Sequence, residues 1–155
     1  NLNKEINKNI YFRVHPSSLF KDIIEKEISK NFGVEKIDRS IFDDIFTKYN
    51  LIIDTNIQTT YYQCLNSGVP VLLFYNQELI NVTPLTKKNF LNMKKNKFKF
   101  SNTKNLKRHI EGIYNDPSGW WNSKKNLKIR ADFSKNCSLN TKNDLEVWKK
   151  FFLKI

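Results

Sequence analysis

His15 and the adjacent hydroxyls of Thr59 and Thr60 are the side chains in this sequence best suited to handling an anion. An imidazole changes charge close to neutral pH and donates readily to a phosphate oxygen. Two hydroxyls at the start of a helix add donors to its unpaired N–H groups and to the positive end of its dipole. Thr59 also reads as a plain helix cap, His15 as a satisfied core histidine, and Arg13 as a surface salt-bridge partner. What favours a ligand is position. In an open parallel sheet, ligands bind beyond the carboxyl ends of the strands, and polar residues follow each expected strand here. Arg13, His15, Pro16 and Ser17 follow the first; Asp54, Thr55, Asn56, Thr59 and Thr60 follow the third; Asn76, Gln77 and Glu78 follow the fourth.

The elements that must position these groups are read from apolar spacing. Residues 9–15 are β-branched and aromatic and stop at Pro16, and Ser17 or Ser18 can cap the helix that follows. From Leu19 to Phe32, apolar residues recur at helical spacing up to Gly33. A short strand is expected at 34–37, a helix from Ser40 to about Asn50, and a buried strand at 51–54. The helix Tyr61 to Ser67 closes at Gly68, and 69–75 is the most strand-like segment. A polar loop, a helix over 84–95, a fifth strand at 98–100, helices near Leu106 and Trp120, and a last helix over 144–153 complete the pattern. Alternation of this kind predicts an α/β, Rossmann-like parallel sheet flanked by helices, with a helical C-terminal extension.

The chain has 155 residues, 39% of them hydrophobic, enough for one domain with a real core. Nothing at the start resembles a secretion signal and no run approaches a membrane span, so a cytoplasmic protein is expected. Because it opens at Asn1 without Met, the chain reads as a piece of a longer protein. The net charge of +12 is uneven: residues 1–81 hold nine basic and ten acidic residues, residues 82–155 eighteen and five. Such a basic half suits nucleic acid, an anionic membrane surface or a phosphate-bearing substrate. Four Arg against 23 Lys is a poor ratio for reading bases, and no specific nucleic-acid partner is expected. Surface solvation alone also explains much of the lysine.

Gly33, Gly68, Gly112 and Gly119 are scattered, so there is neither a dinucleotide fingerprint nor a P-loop. Cys64 and Cys137 lack metal-ligand spacing and read as ordinary thiols, and no metal or cofactor is expected. His109 and the Trp120-Trp121 pair, which fall at helical spacing among Leu and Ile, read as core.

The stretch from Asp54 through Thr59-Thr60 to Gly68-Val-Pro70 and Phe74 resembles the nucleotide-sugar-binding half of GT-B glycosyltransferases. With Asp116-Pro-Ser-Gly-Trp-Trp121 and the Arg-Ala-x-Phe pattern at Arg130 to Phe133, it is similar to transferases of bacterial surface-carbohydrate and O-antigen loci. Arg13-Val-His15-Pro16 resembles the His-Pro motif of polysialyltransferases and capsule Kdo transferases. The resemblance implies that residues 1–155 form one donor-binding domain, with the N-terminal acceptor domain and its general base lying elsewhere. It implies a CMP- or CDP-linked sugar as substrate and a glycan or lipid-linked acceptor. The charge imbalance, separately, suits a protein peripheral to the inner membrane face. His15 takes the catalytic role, touching the donor phosphate or nucleotide. Thr59 and Thr60 hold the phosphates, with Arg13, Pro16, Ser17, Asp54 and Asn56 around the nucleotide. Gln63 stands where many relatives carry a ribose-binding Glu, so its amide brings hydrogen bonds without charge. Developing charge on the leaving phosphate is then stabilised electrostatically, without a metal. The rival readings are a noncatalytic α/β nucleotide- or partner-binding module and a nucleotide-sugar epimerase of similar architecture.

Overall fold

The computed structural model describes residues 2–16, 18–41, 44–57, 59–75 and 84–137. The chain divides into two compact units, Asn1–Tyr49 and Asn50–Ile155.

The first unit contains α1 (Lys4–Lys8), α2 (Lys21–Phe32) and α3 (Ile45–Lys48). Asn3 caps α1 through its side chain, which accepts from the Glu5 N–H at 2.7 Å. Gly33, at φ +98°, ends α2. The two strands expected at 9–15 and 34–37 are reduced to one parallel bridge between Phe12 and Ile37. The Phe12 N–H donates to the Lys36 carbonyl at 2.7 Å, and the Asp38 N–H donates to the Phe12 carbonyl at 2.8 Å. The ladder stops there because Val34–Lys36 winds into a 3-10 turn, closed by Lys36 N to Gly33 O and Ile37 N to Val34 O. On the other side the chain turns at Pro16, where the Ser18 N–H meets the His15 carbonyl at 3.0 Å.

In the second unit, β1 (Ile52–Asp54), β2 (Val71–Phe74) and β3 (Lys99–Phe100) form a parallel sheet in the order β1-β2-β3. Among the described residues the sheet therefore has three strands, where five were expected. Its helices are α4 (Thr59–Ser67), α5 (Pro84–Lys95), α6 (Thr103–Ile113), α7 (Pro117–Asn122) and α8 (Lys124–Cys137). The result is an α/β fold, a parallel sheet flanked by helices in the Rossmann-like manner. The anticipated helix at 144–153 and residues 76–83 lie outside the described residues.

The central strand is the most buried element, with Val71, Leu72 and Leu73 at 0% exposure. Burying each such side chain is worth about 1.5–3 kcal/mol before chain entropy is counted. A continuous apolar run belongs in this place, because a parallel strand is covered on both faces. Tyr61, Cys64 and Leu65 recur at i, i+3 and i+4 and turn one face of α4 inward. Around Phe133 of α8 the rings of Tyr61, Tyr62 and Phe90 gather at centroid distances of 6.3, 6.2 and 5.5 Å. Near the other helices, Phe98 meets Trp120 and Trp121 at 5.0 and 5.6 Å. Gly68, at φ +83°, follows the last turn of α4, a backbone state that side-chain-bearing residues rarely adopt.

Candidate functional site

At the carboxyl end of β1 the chain must leave the sheet and enter α4 within four residues. Asp54 makes the turn. Its Oδ1 accepts from the Asn56 N–H at 2.8 Å, the local bond that Asp forms two residues ahead. Oδ2 is buried and has no hydrogen-bond partner among the described residues. Burial raises the Asp54 carboxyl above the ordinary carboxylate range, opposed by the backbone N–H groups of Asn56 and Thr55. Close by on α4, burial pushes the Cys64 thiol up to about 12, and the charge of Asp54 adds to it. That thiol is inert at neutral pH.

Thr59 and Thr60 are the first two residues of α4, one step further into the helix than a cap; the residue before them lies outside the described ones. Thr59 is exposed and Thr60 half-buried. Gln63, four residues after Thr59, is also exposed, so the two share the outer side of the helix. Asp54, Asn56, Thr59, Thr60 and Gln63 thus belong to one strand-loop-helix passage. That passage offers N–H groups, hydroxyls and amides, with one carboxyl shifted upward by burial.

Arg13, His15 and Pro16 fall together in the first unit. His15 and Pro16 are exposed on the turn, and the half-buried guanidinium of Arg13 donates through Nη1 to the Ser40 carbonyl. Ser17, Asn76, Gln77 and Glu78 lie outside the described residues.

Two buried charges escaped sequence reasoning. Asp38 has a side chain only 3% exposed, and it accepts from the Ser40 N–H and hydroxyl, the Lys48 ammonium and the Tyr49 hydroxyl at 2.9–3.0 Å. Burial acts to raise its carboxyl, but these donors together prevail and hold it well below its ordinary value. The same bond raises the Lys48 ammonium. The Asp38-x-Ser40 spacing was the available signal. Lys99 is the other: it belongs to the lysine-rich run read as solvated, yet it is 2% exposed. Its Nζ lies 5.3 Å from the Tyr75 ring centroid and 5.6 Å from that of Phe90, and burial lowers its affinity for a proton. The alternating Phe98-Lys99-Phe100 pattern, which turns Lys99 to the opposite side from both rings, was the clue.

The residues of the C-terminal motif are packing residues. The Arg130 guanidinium stacks on Trp121 at 4.0 Å and donates to its carbonyl at 3.3 Å, while Phe133 joins the aromatic cluster described above. His109 meets Phe100 at 5.2 Å and Trp120 at 5.0 Å, and burial brings its imidazole down to about 4, with Lys97 adding to the effect. It is neutral and internal, as its helix position predicts.

The family described as LIC12162 family transferase matches residues 1–152. No curated protein and no solved structure matches the chain.

Proposed function

The chain belongs to the LIC12162 family of transferases, and on that premise we propose that it is the donor-binding domain of a glycosyltransferase using a nucleotide-activated sugar. The passage from β1 into α4 carries this reading. A parallel strand ends in Asp54, and its successor helix opens on two hydroxyl residues, the arrangement that suits a diphosphate. A carboxyl shifted upward by burial opposes a negatively charged donor less than an ordinary one does.

In the reaction, the bond between the sugar and the nucleotide phosphate breaks, and the phosphate leaves with the electron pair. The N–H groups at the start of α4 and the hydroxyls of Thr59 and Thr60 stabilise that developing charge, and the His-Pro resemblance gives His15 a part in donor binding. Asn56 and Gln63 offer hydrogen bonds to ribose or base. The donor is CMP- or CDP-linked, and the acceptor is a glycan or lipid-linked glycan of bacterial surface polysaccharide synthesis. The general base comes from outside this domain, so the domain binds nucleotide without turnover.

Calorimetric titration with CMP, CDP, UDP and GDP tests the proposal. A cytidine nucleotide is expected to bind, and Thr60→Val and His15→Ala are each expected to weaken it about tenfold, the effect of losing one hydrogen bond to a charged group. Undiminished binding in both variants refutes the site.

A further inference from the structure

Where the chain enters β3, a cleft of about 280 Å³ is lined by Lys95, Lys97, Trp120, Ser123, Lys125 and Asn126. By the sheet register, Lys97 is level with Ile52 and Val71, at the amino end of the strands, whereas the donor passage leaves β1 at its carboxyl end. The cleft is therefore a different site from the one discussed above.

Its electrostatics are one-sided. Residues 84–137 hold fourteen Lys and Arg against three Asp and Glu. Among the described residues, none of Lys95, Lys97 and Lys125 forms an ion pair. Lys124 and Lys125 occupy the first turn of α8 with no acidic residue there, although the positive end of the helix dipole disfavours cations. Three lysines lining one cleft without an ion-pair partner among the described residues attract an anion.

The backbone supplies a second, independent observation. Lys97 has φ +65°, the one positive value outside glycine among the described residues. It closes α5 through two bonds, Phe98 N to Met93 O at 2.9 Å and Lys97 N to Lys94 O at 3.2 Å. This helix ending ordinarily takes glycine at the left-handed position. A lysine held there in spite of the backbone strain, and lining the cleft, points to a use for its side chain.

The opposite wall is firm. Trp120 packs between Phe98 and His109, each 5.0 Å away, and Asn126, 5% exposed, donates through Nδ2 to the Trp120 carbonyl at 2.6 Å. Drug-sized ligands occupy about 300–1,000 Å³. A nucleotide-sugar is too large for this cleft, and a compact phosphate-bearing headgroup fits.

We propose that this cleft binds a phosphate group, carried by an anionic phospholipid headgroup or by a small phosphate ester, through Lys95, Lys97 and Lys125 against the wall of Trp120. The ligand class follows from the unpaired lysines and from the size of the cleft, and it does not depend on the identity of the donor.

The test has two arms on the full chain: titration with glycerol phosphate, and sedimentation with vesicles of phosphatidylglycerol or phosphatidylcholine. Glycerol phosphate binding assigns a free ester. Binding confined to phosphatidylglycerol vesicles assigns a lipid headgroup. Lys97→Gly and Lys125→Ala are each expected to weaken the interaction about tenfold, while Lys87→Ala, which removes the same charge elsewhere on α5, changes it less than about twofold. Because glycine suits the left-handed position, Lys97→Gly is expected to raise the thermal midpoint by about 2 degrees or more, so lost binding cannot be ascribed to lost folding. Absence of binding in both arms, unchanged binding by Lys97→Gly, or equal weakening by Lys87→Ala overturns the proposal. None of these results bears on nucleotide binding at α4.

Discussion

Neutralised or paired titratable groups recur through this chain, and each has its own cause. Asp54 is held toward its protonated form by burial, Asp38 toward its ionised form by four donors, and His109 toward the neutral ring by its aromatic surroundings. His109 gives the clearest pH prediction. Its folded value of about 4 lies below its ordinary 6.5, so the native state takes up fewer protons than the unfolded one between those values. Stability is therefore full above pH 6.5 and falls as the pH drops toward 4. For a half-buried ring, allowing for solvent screening, the loss is on the order of 1–2 kcal/mol. His109→Phe is expected to flatten this segment of the stability curve, measured by urea unfolding at several pH values. An unchanged slope in the variant places the effect on other groups. The internal place of His109 was legible because it falls among Leu106, Ile110 and Ile113 at helical spacing. The burial of Lys99 was marked only by its alternation with Phe98 and Phe100 in a strand, a signal that the surrounding run of lysines hides.

Helices were more legible than strands. Residues 21–32, 84–95 and 103–113 carry apolar spacing over three turns or more, and the helices found there start and stop close to their expected ends. Strands at 52–54, 71–74 and 99–100 were also visible as short apolar or aromatic runs. The failures at 9–15 and 34–37 have a physical origin. Composition makes a segment suitable for pairing, but pairing needs a partner of matching length, and the 3-10 turn at Val34–Lys36 leaves only Ile37 opposite Phe12. In that part of the chain Asp38 takes over the connecting role, joining the bridge to α3 through Lys48 and Tyr49. Asp38→Ala is expected to cost on the order of 1–3 kcal/mol, the consequence of stripping a buried acceptor from several donors. Because its folded value is depressed, the stabilisation is present above its ordinary 3.8 and is lost as the pH falls below it. Hydrogen exchange should show the loss first in α3 and around Phe12; protection unchanged there contradicts the assignment. As for the donor site, the passage from Asp54 to Gln63 was legible as one strand-loop-helix unit. The upward shift of the Asp54 carboxyl was not, because burial is a property of the packed sheet.

Across the whole molecule, cohesion is unequal. Among the described residues twenty hydrophobic side chains are buried, and of these only Ile6, Ile37 and Ile45 belong to the first unit. The second unit holds the sheet, the aromatic cluster at Phe133 and the greater share of the positive charge. No described helix is long and apolar enough to cross a membrane. The seclusion of Cys64, at 0% exposure on the inward face of α4, gives the chain a reporter of its own breathing. An alkylating reagent reaches this sulfur only when α4 lifts away from β2, so its labelling rate follows the population of opened molecules. Peptide mass spectrometry separates Cys64 from Cys137, and the Cys64 signal is expected to slow when a nucleotide clasps the first turn of that helix.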